Sequence, residues 1–247
     1  MAIYAPLARK IMNKMQKTSL FRLIKEDFSV VKQRDPAFES IIEVLFYPGV
    51  MAIVHYRIAH WLYMRGFRRL GRVIMGITGF ITNVDIHPQA QIGRRVFIDH
   101  AIGVVIGQTA IVGDDVTIYQ GVSLGGVSLA KTKRHPTIES GVVIGAGAKV
   151  LGDITIGKNA KIGANSVVIK DVPSDCTAIG IPARVIIKGR AKDANQANKL
   201  PDIDRALFEY LLKRMQVLEK CVDDKQCQQS LKELELLYEN FLATLKR

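Results

Sequence analysis

Two histidines that stand close to carboxylates have the clearest chemical potential in this sequence. His100 directly follows Asp99, and His87 comes two residues after Asp85 in the run Asp-Ile-His-Pro. A neutral imidazole can accept a proton near neutral pH, and a carboxylate can fix its tautomer and stabilise the imidazolium. The residues alone leave two interpretations of His100 open, a general base and an ordinary surface histidine.

An arginine and a histidine form a second candidate pair. Arg134 and His135 lie within residues 125–137, which interrupt the repeat described below. A guanidinium binds a carboxylate through two parallel hydrogen bonds, and loops on a rigid scaffold often carry binding groups. Arg134 therefore either binds the carboxylate of a small acid or is an ordinary solvated charge on a loop.

A zinc site built from histidines is the third kind of chemistry to weigh, because three histidines can hold a zinc ion. His87, His100 and His135 are separated by 13 and 35 residues. These spacings match neither the length of one coil of the repeat nor half of it. We therefore predict no metal centre.

A repeat of six residues predicts the scaffold that positions these side chains. From residue 86 to residue 173 an aliphatic residue recurs at every sixth position, and a small or branched residue follows four positions later. This period is typical of a solenoid of short parallel strands with three faces, about eighteen residues to a coil. The aliphatic side chains, which would fill a narrow prism, are Ile86, Ile92, Ile98, Ile106, Val112, Ile118, Leu124, Ile138, Ile144, Val150, Ile156, Ile162 and Val168.

Two breaks in the period concern the candidate residues. The repeat slips by two residues after Ile98, in the stretch that contains His100. Strict stacking would place Asp85 beneath Gly103, so the period alone does not pair Asp85 with His100. The second break, residues 125–137, is predicted to be a loop that leaves the prism.

The chain before the solenoid, residues 1–84, is predicted to be helical. Ser19 suits the N-cap of a first helix, which Asp35-Pro36 ends, and Pro36 is predicted to start the second helix, since proline suits a first helical position. Residues 47–49 are interpreted as a turn, because proline and glycine are adjacent there. A third and a fourth helix are predicted at residues 50–65 and 67–82.

The third predicted helix carries polar and aromatic side chains that could be mistaken for a site. We interpret them as buried or half-buried structural residues, because polar groups that fold into a core are normally hydrogen-bonded. They are His55, Arg57, His60 and Trp61.

A polar linker and an amphipathic segment follow the solenoid. Residues 189–247 contain two apolar stripes at helical spacing, which predict a helical tail suited to self-association. The predicted fold class is thus α+β. It comprises a helical region at 1–84, a parallel β-helix domain at 85–188 with its loop at 125–137, and the tail.

Composition limits the partners. The net charge of +12 over 247 residues favours anionic partners. No alternation of aromatic and basic residues accompanies it, so we predict no nucleic-acid binding. We also predict no membrane span, because no apolar stretch is long enough. The three cysteines, Cys176, Cys221 and Cys227, are too few for a disulfide framework and fit a reduced cytoplasmic chain.

Taken together, residues 21–187 resemble the serine O-acetyltransferases of cysteine biosynthesis. The six-residue repeat alone marks only a broad acyltransferase superfamily. The resemblance to this family implies a left-handed β-helix and a homotrimer, or a dimer of trimers, with active sites between subunits. It rests on an ordered series of motifs, Asp35-Pro36, Asp85-Ile86-His87-Pro88, Asp99-His100 and Arg134-His135-Pro136.

The same resemblance implies roles in acetyl transfer to L-serine. His100 would take the proton from the serine hydroxyl, and Asp85 would orient its ring. The serine oxygen would then attack the thioester of acetyl-CoA and give O-acetylserine and CoA. The serine ammonium would bind Asp35 and Asp99, and its carboxylate would bind Arg134 and His135. The coenzyme groove would be lined by Gly126, Ala146, Lys161 and Ala164.

The resemblance also implies regulators and partners. L-cysteine has the shape of serine and would bind the serine site as a feedback inhibitor. The family's partner, O-acetylserine sulfhydrylase, anchors a terminal isoleucine, whereas this sequence closes with Lys246-Arg247. We therefore do not expect a stable complex with the sulfhydrylase.

Two alternative functions remain open at this point. A related hexapeptide acyltransferase could act on a sugar or on another amine or alcohol. A scaffold without catalytic activity could use the solenoid only to present its terminal helices. A thiol-release assay with acetyl-CoA and L-serine distinguishes the three.

Overall fold

The computed structural model describes residues 18–186 and 211–216. They belong to two units, Met1–Lys192 and Asp193–Arg247. In the second unit residues 211–216 are helical, and Leu211 and Met215 of the first apolar stripe are exposed. The remainder of the predicted tail lies outside the described residues.

Four helices precede the first strand. They are α1 (Leu20–Arg34), α2 (Ile41–Val44), α3 (Pro48–Met64) and α4 (Arg68–Thr82). The predicted N-cap is confirmed, because the Ser19 side chain accepts a hydrogen bond from the Arg22 N–H. The end of α1 at Asp35 and the fourth helix are also confirmed.

Two local predictions in this region are wrong. Pro36 does not start the second helix, which instead begins after Ser40, whose side chain caps it. Pro48 and Gly49 are not a separate turn but the first turn of α3. Proline and glycine favour turns, yet proline is equally suited to the first turn of a helix, where its missing N–H costs nothing.

Buried polar contacts fasten the helices to the solenoid. Arg57 of α3 is only 2% exposed, and its Nε donates to Asp27 of α1 at 2.9 Å. The same guanidinium donates to the carbonyl oxygens of Ile92 and Gly93. A buried charge needs such complete pairing, so the structural interpretation of Arg57 is confirmed.

The other three residues of α3 that were predicted to be structural differ in their burial. His55 bonds to Thr78, and His60 bonds to the carbonyl of Pro88, so both have structural partners. Trp61 is exposed, and the guanidinium of Arg65 lies 3.8 Å from its ring centre. The prediction of a buried or half-buried side chain was wrong for Trp61.

Fifteen short strands follow. They are β1 (Asp85–Ile86), β2 (Gln91–Ile92), β3 (Phe97–Ile98), β4 (Val105–Ile106), β5 (Ile111–Val112), β6 (Thr117–Ile118), β7 (Ser123–Gly125), β8 (Thr137–Ile138), β9 (Val143–Ile144), β10 (Lys149–Leu151), β11 (Thr155–Ile156), β12 (Lys161–Ile162), β13 (Val167–Val168), β14 (Thr177–Gly180) and β15 (Ala183–Ile186).

The strands form three parallel sheets, which are the faces of a prism. Face A contains β1, β4, β7, β10 and β13, face B contains β2, β5, β8 and β11, and face C contains β3, β6, β9, β12, β14 and β15. Within each face a strand pairs in parallel with the strands of the adjacent coils. Only β15 departs from this pattern among the described strands, because it turns back and pairs antiparallel with β14.

The predicted interior is confirmed. All thirteen aliphatic residues of the repeat are buried and lie in one core with Tyr56 and Met75 of the helices. Stacking of several coils is what creates this core, since a single coil of two-residue strands buries little.

The register locates both breaks in the period. Asp85 pairs with Val105, twenty residues on, and Val105 pairs with Ser123, eighteen residues on. Asp85 therefore does not lie beneath Gly103, because the two extra residues are inserted in the corner before Val105. Ser123 pairs with Lys149, twenty-six residues on, and the loop takes up the difference.

Candidate active site

The predicted site residues fall on two different edges of the prism. We call the corners between faces C and A the C–A edge (residues 99–104, 119–122, 145–148 and 163–166). The corners between faces A and B are the A–B edge (residues 87–90, 107–110, 126–136 and 152–154). The C–A edge carries Asp99, His100, Ala146 and Ala164, and the A–B edge carries Gly126, Arg134 and His135.

His100 stands on a strained corner. His100 and Ala101 both have left-handed backbone, with φ of 54° and 59°, a conformation that costs free energy for residues other than glycine. Ala101 is buried beneath the corner, while the side chain of His100 is 73% exposed. The two inserted residues thus lift an imidazole out of the prism wall.

The carboxylates predicted to serve His100 are placed differently. The Oδ1 atom of Asp99 lies 4.0 Å from His100 Nε2. Asp85 lies on β1 of face A and is exposed. Among the described residues of one chain, no hydrogen bond joins Asp85 to His100.

Asp35 comes to the C–A edge from the end of α1. Its Oδ1 accepts the Ala37 N–H at 2.8 Å, and its Oδ2 accepts the hydroxyl of Tyr47 at 2.5 Å. These hydrogen bonds hold the pKa of Asp35 below its ordinary value, and the bond from Tyr47 has the larger effect. The charge of His100 lowers this pKa further. Asp35 is therefore an ionised carboxylate close to His100.

A cleft of about 400 Å³ lies at the A–B edge. Asp85, Arg134 and His135 line it together with His87 and Arg72, and His100 is not among its lining residues. The structure thus brings together the residues predicted to bind a carboxylate, and it adds Asp85 to them.

The hydrogen bonds of His135 fix which ring nitrogen faces a ligand. His135 is 8% exposed, and its Nδ1 accepts the Thr109 N–H at 3.2 Å. Thr109 Oγ1 lies 2.8 Å from the same Nδ1 and already accepts the N–H groups of Arg134 and His135, so it donates its own proton to the ring. The neutral imidazole carries its proton on Nε2.

Arg134 is held from two sides. Its Nη1 donates to the Ala130 carbonyl and its Nη2 donates to Gln108 Oε1, both at 2.9 Å. Lys133 pairs with Asp153 at 3.3 Å and donates to the carbonyl of His135. The base of the loop is therefore anchored to the neighbouring coils, although its middle is exposed.

Glycines make room for the His135 ring. A Cβ on Gly107 would overlap the imidazole, and one on Gly126 would lie 3.2 Å from its Nε2. Gly126, predicted from the resemblance as part of the coenzyme groove, therefore packs against the cleft residues Arg134 and His135.

His87 is a cleft residue to which the sequence analysis assigned no part in serine binding. Its Nδ1 accepts the Gln89 N–H at 3.0 Å, and its ring meets Tyr63 edge-on, 6.0 Å between centres. Burial lowers the pKa of His87 to about 4, with a smaller contribution from the charge of Arg72. Its position two residues after Asp85, on the same side of an extended chain, was the signal available in the sequence.

The remaining coenzyme candidates lie along the C–A side. Ala146 and Ala164 occupy the same corner one coil apart, and the Asn165 N–H donates to the Ala146 carbonyl at 2.7 Å. Lys161 is exposed on β12 of face C. Ala146 and Ala164 place small side chains at these corners, and Lys161 adds an exposed positive charge on the adjoining face.

The described residues contain neither a cluster of metal ligands nor a membrane-spanning helix. No group of three His, Cys, Asp or Glu side chains in residues 18–186 and 211–216 could hold a metal ion. No helix in that part of the chain has the length and apolarity to cross a bilayer.

Sequence comparison gives both a family model and full-length relatives. Residues 135–170 match the model "Bacterial transferase hexapeptide (six repeats)". A serine acetyltransferase of Synechococcus elongatus is 48% identical over 202 residues, which are 81% of this chain and 83% of the relative. One of Mycobacterium tuberculosis is 50% identical over 198 residues, 79% of this chain and 86% of the relative.

Solved structures agree with these relatives. A soybean serine acetyltransferase complexed with serine has a TM-score of 0.66 and 43% identity, covering 70% of this chain and 72% of that one. A serine acetyltransferase in complex with cysteine has a TM-score of 0.67 and 42% identity, covering 72% and 76%. One from Brucella abortus in complex with coenzyme A has a TM-score of 0.66 and 41% identity, covering 72% of each.

Proposed function

The chain belongs to the serine acetyltransferase family and transfers the acetyl group of acetyl-CoA to the hydroxyl of L-serine, and we propose that two neighbouring protomers complete each of its active sites. The observation that carries this proposal is the division of the site residues between two edges of one prism. Asp35, Asp99 and His100 lie on one side, and Asp85, Arg134 and His135 lie on the other.

A trimer explains this division. When three left-handed prisms pack around a three-fold axis that runs along them, the C–A edge of one protomer faces the A–B edge of the next. Such a heterologous contact closes into a ring when the rotation is 120°. Three equivalent clefts result, and each contains one His100 and one set of A–B residues.

The reaction needs one base and good positioning. His100 removes the proton from the serine hydroxyl as the oxygen attacks the thioester carbonyl. Asp85 of the neighbouring protomer stabilises the imidazolium and fixes the ring. His100 then returns the proton to the departing CoA sulfur. A thioester is already activated, so a polarising group beyond ordered hydrogen bonds is unnecessary.

Recognition of serine uses opposite charges at the two edges. The ionised carboxylates of Asp35 and Asp99 bind the ammonium group, and the guanidinium of Arg134 binds the carboxylate. His135 adds the Nε2–H that its bonds with Thr109 leave available. A sugar has neither charged group, so this arrangement favours an amino acid as the acceptor.

The coenzyme binds along the C–A side. Ala146 and Ala164 keep this surface shallow enough for an extended chain, and Lys161 supplies a cation for the phosphate groups. Gly126 lies where the loop meets the cleft, near the thioester end. The related structure with coenzyme A supports the assignment of this ligand.

L-cysteine binds the same site as an inhibitor. It presents the ammonium and carboxylate of serine, and a thiol replaces the hydroxyl. The related structure in complex with cysteine supports this proposal. Competition between cysteine and serine in steady-state kinetics tests it, and inhibition that high serine does not relieve would contradict it.

The cytoplasmic location and the absence of a stable sulfhydrylase complex stay predictions. Subcellular fractionation tests the first. Gel filtration with an O-acetylserine sulfhydrylase tests the second, and a co-eluting peak would show that prediction to be wrong.

Replacing His100 tests the catalytic assignment. We expect His100→Ala to lower the rate of CoA thiol release from acetyl-CoA and L-serine by at least about a hundredfold, the usual contribution of a general base. The side chain is largely exposed, so circular dichroism and gel filtration should match the wild type. A folded His100→Ala enzyme with full activity would remove His100 from the mechanism, and thiol release only with a sugar acceptor would favour the alternative acyltransferase.

A further inference from the structure

We propose that Tyr47 is a positioning residue for the serine ammonium, because it orients the carboxylate of Asp35 towards the substrate. The inference rests on the proposed binding role of Asp35 and adds to it a residue that neither the sequence motifs nor the resemblance singles out. It concerns the affinity for serine rather than the chemical step.

The carboxylate of Asp35 is fixed through both oxygens. Ala37 N–H donates to Oδ1 at 2.8 Å, and the Tyr47 hydroxyl donates to Oδ2 at 2.5 Å. A carboxylate can accept about four hydrogen bonds, so two acceptor positions are left for a ligand. The Ala37 bond is local to the turn after α1, whereas the Tyr47 bond comes from a different helix and fixes the rotation of the group.

The backbone that carries Asp35 is fixed separately. The preceding residue, Arg34, donates through Nη1 to Thr117 Oγ1 at 2.7 Å and through Nη2 to the Asp115 carbonyl at 3.1 Å. These bonds fasten the end of α1 to the second coil. Arg34 therefore sets where Asp35 lies, and Tyr47 sets which way its carboxylate points.

Tyr47 is itself tied to the strand that leads into the catalytic corner. Its ring packs on the cluster formed by Val30, Val31, Val44, Val50 and Phe97. It is the N-cap residue of α3, and Gly49 in the first turn lies against the Ile98 carbonyl so closely that a Cβ would overlap it. Asp99 and His100 follow directly after Ile98. One tyrosine thus couples the ammonium-binding carboxylate to the geometry of the base.

The test is Tyr47→Phe, which keeps the ring and removes the hydroxyl. We expect the KM for L-serine to rise about tenfold or more, the effect of losing a hydrogen bond to a charged group. We expect kcat to change by less than about threefold, and the KM for acetyl-CoA to stay the same, because the serine ammonium alone is affected. The binding of L-cysteine, measured by calorimetry, should weaken by the same factor as that of serine.

Ser29→Ala on α1 is the matched control, because it also removes a hydroxyl that donates one hydrogen bond, to the Glu26 carbonyl at 2.8 Å, and Ser29 lies on neither edge of the prism. This variant should keep the wild-type KM for serine. Thermal unfolding of both variants verifies that the fold is intact. A Tyr47→Phe enzyme with unchanged serine KM, or one in which both KM values rise together, would overturn the proposal.

A double variant separates this inference from the role of Asp35. Asp35→Asn alone should raise the serine KM strongly, and adding Tyr47→Phe should cost nothing further, because coupled residues are not additive. If Asp35→Asn leaves the serine KM unchanged, the proposed role of Asp35 fails, and the positioning role of Tyr47 fails with it. If Asp35→Asn raises KM and the two effects simply multiply, Asp35 keeps its role but Tyr47 does not act through it.

Discussion

Both imidazoles of the A–B cleft are suited to donate hydrogen bonds without carrying charge. Burial lowers the pKa of His87 and that of His135, and in each ring Nδ1 accepts a backbone N–H, so the proton resides on Nε2. His100 lies on the exposed corner, and no backbone N–H of the described residues donates to its ring. The difference in surroundings separates the proposed base from the two proposed donors, although all three are histidines.

The pKa of His87 shows whether its ring is buried and neutral, as the structure indicates. NMR of histidine-labelled protein should give a pKa of about 4, and Arg72→Gln should raise it, because burial and then the charge of Arg72 are the main causes of the shift. Arg134 and His135 lower this pKa as well, while Asp85 faces the same cleft. Because the unfolded chain binds the proton near pH 6.5 and the folded one does not, this group reduces stability as pH falls from about 6.5 to about 4. A His87 pKa near 6.5 would contradict the buried, neutral state.

The helices position the site because α3 begins directly against the solenoid. Gly49 in its first turn meets the Ile98 carbonyl, and Arg57 two turns later bonds to the carbonyls of Ile92 and Gly93. The start of α3 therefore fixes Tyr47 relative to β3 and to the corner that carries His100.

Gly49→Ala should disturb this contact. The added Cβ would lie 3.0 Å from the Ile98 carbonyl carbon and still closer to its oxygen, so helix and strand must move apart. We expect a loss of stability of about 1–3 kcal/mol in chemical denaturation, with a rise in the serine KM. Gly76→Ala on α4 is the control, since nothing lies within 4 Å of its Cβ, and it should stabilise the helix by up to about 1 kcal/mol. Equal stability of the two variants would argue against close packing at Gly49.

The solenoid could be predicted from the sequence, because a six-residue period of aliphatic residues has few other physical explanations. Its two-residue slip also marked the corner of His100. The role of Pro48-Gly49 was missed, since the same dipeptide suits a turn and a helix start. The Tyr47–Asp35 and Thr109–His135 contacts join residues 12 and 26 positions apart, and no local pattern encodes such pairs.

One prism carries the proposed site residues on two separate edges. The C–A edge carries the proposed base, His100, and two carboxylates, and the A–B edge carries the arginine, two histidines and Asp85. Face A lies between them, so the halves of a single chain point away from each other. We therefore propose that assembly completes each site and that the two charged groups of serine bind different protomers.

Mixing two inactive variants shows whether His100 and Arg134 of one site come from different protomers. His100→Ala and Arg134→Ala trimers should each be nearly inactive, and they are combined in equal amounts by co-expression with two affinity tags. About three quarters of the trimers would then be mixed, and each mixed trimer would contain one intact site out of three. We therefore predict recovery of about a quarter of wild-type activity. Mixing His100→Ala with the double variant His100→Ala/Arg134→Ala serves as the control and should restore nothing. Isolated mixed trimers no more active than the parent variants would mean that both residues of a site come from the same chain, and would contradict the account.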